Sequence, residues 1–374
     1  MFVAWRDLRF AKGRFALMGT VIVLITVLVG LLSGLTAGLG QQNISAITGL
    51  SADKIAFSAP PDGQDRSFSD SSVTERQWHE WARTPGVQKA EPLGITTTRA
   101  EAGERSAAVS AFGVQPGSGL GPDTSRIASG SVVLSEEAAE ELGAEKPGEH
   151  VTLAGQRLSV AAISGEASYS HTPVIWTSLT DWQHFGAGGS GQGTSSGGEK
   201  GAGGERATVI ALNTGSGGAA DLSATDTKLG TDTVSRDDAL SAIGSYTSEN
   251  GSLQLMRGFL FAISALVIGA FFTVWTIQRS ADVAVLKALG ASTRYLLRDA
   301  LGQAVVLLAL GTAIGTGIAS GVGALVSGTV PFVLGAGTVL FPASVLIVLG
   351  AAGAALAIRR ITAVDPLTAL GSAR

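Results

Sequence analysis

"RSADVAVLKALGASTRYLLRD", residues 279–299, is the stretch whose reading decides the fold. It carries Arg279, Asp282, Lys287, Arg294, Arg298 and Asp299, yet apolar runs flank it on both sides. Working outward, residues 258–278 and 300–358 contain no Asp, Glu, Lys, Arg or His, and neither do residues 15–52. These gaps are 21, 59 and 38 residues long. About 20 apolar residues cross a bilayer as a helix, so the gaps predict one, two and one spans. The fold class expected is a membrane protein with four transmembrane α-helices and a large α/β extracytoplasmic domain between helices one and two.

The expected boundaries follow from those gaps. Residues 1–14 form a cytoplasmic amphipathic entry helix, 15–40 the first span and 41–252 the external domain. Residues 253–278 form the second span, 279–299 a cytoplasmic loop, 300–326 the third span, 334–358 the fourth and 359–374 a cytoplasmic tail. Arg6, Arg9, Lys12 and Arg14 before the first span could suggest a signal peptide. The apolar run "FALMGTVIVLITVLVGLLSGLTAGLG" is far longer than the roughly 7–15 residues of a signal-peptide core. It reads as a retained helix that continues outside the membrane as a stalk.

Charge sets the orientation. The N-terminal segment, the 279–299 loop and the tail hold 11 of the 26 Lys/Arg and only four acids. Residues 41–252 hold 14 basic and 26 acidic residues. Basic short loops stay in the cytoplasm, so both termini are expected inside and the middle segment outside, in a multi-pass protein of the plasma membrane. With no cysteine, that segment must be held by its apolar core alone.

Within the external segment, "SVVL" predicts a strand and Glu136 to Leu142 a helix capped by Ser135 with acids in its first turn. "HVTLA" and "RLSVAAI" predict a hairpin turning at Gly155-Gln156. "SVTERQWHEWARTPGV" predicts a helix stopped at Pro85-Gly86, and "TPVIWTSLTDW" a buried strand entering a short helix. Residues 186–204, "GAGGSGQGTSSGGEKGAGG", read as a flexible insertion, because such a composition cannot bury enough surface to offset its chain entropy.

The chemistry excluded is informative. No Gly-Lys pair occurs, so there is no Walker A loop for ATP phosphates. The spans hold no carboxylate, lysine or histidine that could relay protons or sodium. The external segment shows no metal-ligand spacing and no nucleophile elbow, so a membrane-anchored enzyme is the weakest class. Any energy for movement arrives from another chain, which gives the 279–299 loop a use. Ser280 can cap a helix that sets Val283, Leu286 and Leu289 in one stripe, with Asp282 and Lys287 mostly off it and Gly290 at a left-handed exit. Such a helix suits a partner's groove; the alternative is a helix lying on lipid.

"QRSADVAVLKALGASTRYLLRDAL" resembles the segment after the second helix in permeases of the MacB/FtsX superfamily. The tail "AIRRITAVDPLTALG" is similar to that superfamily's closing pattern, and "WRDLRFAKGRFALMG" to its entry helix. The resemblance implies the permease subunit of an ATP-binding-cassette exporter of the mechanotransmission type. Two copies of the chain would sit over two separate ATPase subunits, which hold ATP and magnesium, and this chain would bind no cofactor and no nucleic acid. Carried over by position, residues 281–291 become the ATPase-coupling helix, with Asp282, Val283, Leu286, Lys287, Leu289 and Gly290 in contact.

Glycines at four-residue intervals let helices approach closely. Gly30, Gly34 and Gly38 are expected to form a seam between two copies; for Gly311-Gly315 and Gly317-Gly321, packing within the chain is preferred. The stretch from Ala11 to Ile47 looks most like the haem-exporting HrtB branch, which implies haem, or another amphipathic toxic compound, taken from the membrane. Haem iron takes His, Met, Tyr or a carboxylate as axial ligand. The four histidines (His79, His150, His171, His184) all fall in the external segment. Near the outer boundary before helix two the candidates are Tyr246, Glu249 and Met256, with Arg257 for a propionate. Glu249 could instead favour a helix N-terminus, Met256 face lipid and Arg257 anchor at the interface. A second reading from the same superfamily is a non-transporting relay that activates a cell-wall hydrolase.

Overall fold

The computed structural model describes residues 12–188, 204–215, 222–278, 285, 289–327 and 330–362. It divides into a helical unit, Met1–Leu39 with Gly251–Arg374, and an α/β unit, Gly40–Asn250. Four helices are long and apolar enough to span a membrane. They are α1 (Lys12–Thr48), α6 (Gly244–Gln278), α7 (Thr293–Val326) and α8 (Ala336–Thr362). Most of the entry segment, residues 189–203 of the glycine-rich insertion, most of the 279–288 stretch and the tail beyond 362 lie outside the described residues; residues 186–188, expected in that insertion, are instead the end of a helix, Leu179–Gly188.

The helical unit packs on apolar side chains from all four helices. Met18, Ile22 and Val29 of α1 meet a buried cluster containing Ile268, Phe272 and Trp275 of α6, Leu307 and Leu308 of α7, and Leu346 of α8. Some hydroxyls in these helices return to their own backbone, which satisfies them where no water is available. Thr26 Oγ1 donates to the Ile22 carbonyl at 2.8 Å, and Ser264 Oγ to the Leu260 carbonyl at 2.6 Å.

The glycine stripes decide which helices touch. A Cβ on Gly30 would lie 2.9 Å from the Ala319 Cβ, one on Gly34 would fall on the Phe332 ring, and one on Gly38 on the Pro331 carbonyl. All of these partners belong to α7 or to the α7–α8 connection of the same chain. The Val333 amide also donates to the Gly34 carbonyl, at 3.2 Å. The notches at Gly30, Gly34 and Gly38, where a seam between copies is expected, are thus filled within the chain. Gly311 and Gly315 receive Ile22 and Thr26 of α1, as the intramolecular reading expects, whereas Gly317 and Gly321 have nothing within 4 Å.

In the α/β unit the strands are β1 (Lys54–Ser58), β2 (Val73–Thr74), β3 (Val87–Ala102), β4 (Arg105–Val114), β5 (Ser131–Leu134), β6 (His150–Leu153), β7 (Gln156–Ile163), β8 (Ser168–Tyr169), β9 (Thr172–Ser178), β10 (Arg206–Ala207), β11 (Val209–Thr214) and β12 (Thr231–Ser235). Short helices α2 (Glu75–Trp81), α3 (Glu136–Leu142), α4 (Leu179–Gly188) and α5 (Ser223–Leu229) complete it. The main sheet runs β12-β1-β11-β3-β4-β9-β5-β7-β6, and β6 pairs back onto β3. The 16-residue β3 makes this possible: Val87–Leu93 pairs with β11, while Ala100 and Glu101 pair with β6. Strands β3, β4, β9, β5, β7 and β6 thus form a closed ring. Pairs β4–β9 and β5–β7 are parallel, and the remaining pairs are antiparallel.

Local sequence accounts for these elements. Ser135 Oγ accepts from the Ala138 amide, and Gly143 closes α3 at φ 66°, so both caps follow the residue types. The β6–β7 hairpin turns on Ala154 and Gly155, at φ 48° and 82°, one residue earlier than the expected Gly155-Gln156. Two successive positive φ values are what a two-residue hairpin turn matched to strand twist requires. The core holds Ile47 from the end of α1 and Leu50 just beyond it, together with Phe57, Phe112, Leu93 and Trp176. Burying each such side chain stabilises the fold by roughly 1.5–3 kcal/mol. The last turn of α1 is thereby part of this core.

Candidate functional site

At the loop between α6 and α7, Asp282, Val283, Leu286 and Lys287 lie outside the described residues. Leu289 and Gly290 are described. The Leu289 amide donates to the Val285 carbonyl at 3.0 Å, closing one helical turn, and Gly290 follows at φ 95°. Only glycine takes that backbone without strain. Leu289 is 79% exposed, and Ser292 then caps α7 by accepting from the Tyr295 amide. A helical turn that ends on a left-handed glycine with an exposed leucine can insert an apolar side chain into a groove on another protein.

The residues expected near the outer boundary fall in two places. In the helical unit, Met256 is exposed and the Arg257 guanidinium lies 5.4 Å from the centre of the Phe341 ring of α8. This is a cation–π contact, which holds a guanidinium at an apolar boundary without a carboxylate. In the α/β unit, Tyr246 packs against the Ile47–Trp176 core and lines an open cleft with Arg66, Asp237 and Ser241.

Glu249, one turn further along α6, has different neighbours. Its Oε2 lies 2.8 Å from His171 Nε2 and 3.4 Å from Asn43 Nδ2. Asn43 Oδ1 accepts from Ser245 Oγ at 2.6 Å, and Ser245 Oγ lies 2.8 Å from Ser170 Oγ. The structure therefore brings together Glu249 and His171, and it sets Tyr246 apart with other partners. The motif reading missed this pairing. His171 and Glu249 are 78 positions apart, and the only local signal was that residues 168–172 pass from one strand to the next without a glycine. The turn is made by Ser170 and His171 themselves, at φ 51° and 62°. Among the described residues no group of three or more His, Cys, Asp or Glu could hold a metal ion.

The chain is similar to known proteins along its whole length. Residues 15–221 match the MacB-like periplasmic core domain family, and residues 255–366 match the FtsX-like permease C-terminal family. The hemin transport system permease protein HrtB of Staphylococcus epidermidis is 24% identical over 381 residues, covering 99% of each chain. An ABC transporter permease of Mycobacterium tuberculosis, Rv2563, is 24% identical over 377 residues, again 99% of each. Among solved structures, the periplasmic region of MacB from Actinobacillus actinomycetemcomitans aligns with 54% of this chain and 96% of its own, at 12% identity and a TM-score of 0.36. Four spanning helices, an α/β unit inserted after the first of them and these two family matches have one meaning: the chain belongs to the MacB/FtsX family of ABC transporter permeases, with its MacB-like domain outside the membrane.

Proposed function

We propose that this chain is the membrane half of an exporter of the mechanotransmission type, working as two copies with two ATPase subunits and exporting haem or a similar amphipathic, membrane-dissolved compound. The observation that carries the cargo is the end-to-end similarity to HrtB permeases, which covers both units rather than the helices alone. In this reading both termini are cytoplasmic. Asp282, Val283, Leu286, Lys287, Leu289 and Gly290 form the contact with the ATPase, and its ATP-driven closure moves α1 and α6. Glu249 and Met256 supply candidate axial ligands, with Tyr246 as a further oxygen donor, and Arg257 is available to a propionate. An imidazole 2.8 Å from Glu249 supports the choice of this acid, since a ligating carboxylate is held in orientation by such a partner.

The relay reading has less support. A docking surface for a hydrolase would be marked by exposed apolar side chains on the external domain. The large exposed apolar side chains among the described residues belong to the helical unit.

Haem titrated into the purified full-length protein should give a shifted Soret band in the wild type. Glu249→Ala combined with Met256→Ala should abolish it. An unshifted wild-type spectrum removes haem as cargo; an unchanged spectrum in the double variant removes these ligands.

A further inference from the structure

The turn between β8 and β9 holds two helices in two different ways. Its backbone faces α1: the Ser170 amide donates to the Asn43 carbonyl at 3.0 Å and the His171 amide to the Gln42 carbonyl at 3.2 Å. Its side chains face α6: Ser170 Oγ meets Ser245 Oγ, and His171 Nε2 meets Glu249 Oε2, both at 2.8 Å. Ser245 and Glu249 are four residues apart, so they project from one face of α6. Asn43 is 1% exposed and bridges the two helices directly, accepting from Ser245 and donating to Glu249.

The hydrogen-bond roles follow from these partners. Ser245 occupies the Asn43 carbonyl oxygen, so the Asn43 amide nitrogen is the end turned toward Glu249. A carboxylate only accepts, so His171 donates from Nε2. Both turn residues lie in the left-handed region, which costs a residue other than glycine and persists only where its surroundings hold it. Neither is a glycine, because each needs its side chain for α6. Alongside, Gln42 donates to Glu137, Ser168 donates to the same carboxylate, and the Ser168 amide donates to Ser45 Oγ. These bonds fasten the hairpin to α1 and α3 independently of α6.

We infer that Ser170 and His171 form a strap that clamps the outer start of α6 to the outer end of α1, so that a shift of either helix is passed to the other and to the sheet. The α1 side of the strap is held by two backbone amides, with His171 Nε2 also 3.2 Å from Asn43 Nδ2, whereas the α6 side is side chain alone, so the α6 side is the one that releases. The strap's part in transport rests on the permease reading, but the link itself does not. It is testable in this chain alone, without cargo or ATPase, so failure of the link and failure of the permease reading are separable.

The test is hydrogen exchange at single-amide resolution on the full-length chain in lipid nanodiscs, comparing wild type, Ser245→Ala/Glu249→Ala and Glu249→Gln. The amides of Ser170 and His171 bond only toward α1, so they report whether cutting the α6 side loosens the other side. The double variant should speed their exchange at least about ten-fold while Ala111 in β4 and Trp176 in β9 keep wild-type protection. Glu249→Gln, whose amide oxygen still accepts from His171, should lie much nearer the wild type. Unchanged exchange at positions 170 and 171 in the double variant would mean that the two grips are independent, and would overturn the strap. Loss of protection at Ala111 and Trp176 as well would make the cluster a general support of the sheet, and would overturn it too.

Discussion

At Gly34 a single methyl group is too much. Its Cβ would occupy the Phe332 ring, and the neighbouring backbone is tied by the Val333 bond to the Gly34 carbonyl. Gly34→Ala should destabilise the protein by about 1–3 kcal/mol, the usual range for overpacking a core, seen as a lower melting temperature in detergent. Adding Phe332→Ala should recover part of the loss, because the two substitutions share one contact. Gly317→Ala on the open side of α7 should be neutral by the same measurement. A second residue-scale effect concerns Glu91 on β3. Burial raises its carboxyl above the ordinary 4.5, and Lys89 opposes this in part. The folded chain then holds that proton to higher pH than the unfolded chain does. Stability therefore falls as pH rises through the window above 4.5, and the charged form is a cost at neutrality. Glu91→Gln should stabilise the protein at pH 7 by less than about 1 kcal/mol, since the side chain is partly exposed, and should give nothing at pH 4.

At the scale of elements, caps and turns carry measurable weight. Ser135→Ala removes the acceptor for the Ala138 amide and should cost about 1 kcal/mol in thermal unfolding. Much of this level was legible in residue types. Ser135 and Gly143 bracket α3, and three charge-free runs give four spanning helices. What failed did so for a physical reason. Glycine at four-residue spacing announces a close approach but not its partner, and Phe332 reaches Gly34 from nearly 300 positions away. The hairpin turn moved by one residue because Ala154 accepts a positive φ that the alternation of apolar residues does not reveal. His171 escaped for a similar reason. An imidazole becomes a partner of Glu249 only when β8 and β9 fold back to α1, and no spacing rule records that.

For the whole molecule, the decisive prediction concerns the loop after α6. Leu286→Asp with Leu289→Asp should abolish co-purification of the ATPase subunit while leaving the chain folded and in the membrane, as judged by its elution profile in detergent. Retained co-purification, with ATP hydrolysis still responding to cargo, would refute the assignment of that loop. Exposure of Leu289 beside the left-handed Gly290 is the structural ground for it. Haem titration addresses the cargo separately, so the two halves of the functional reading can fail independently.

The first strand of the α/β unit lies between its last two, β11 and β12. Where the chain enters and leaves this sheet, the Arg236 amide donates to the Asp53 carbonyl at 3.0 Å, and the Arg236 side chain donates to the Leu50 carbonyl. Entry and exit are thus stitched at one point, the arrangement that lets a module be spliced into a host without opening it. A chimaera exchanging the whole unit, residues 40–250, so that the helix ends packed into its core travel with it, for the matching segment of a relative should fold. Lineages could then diversify what they handle by trading the whole insert, leaving the membrane machinery as common stock.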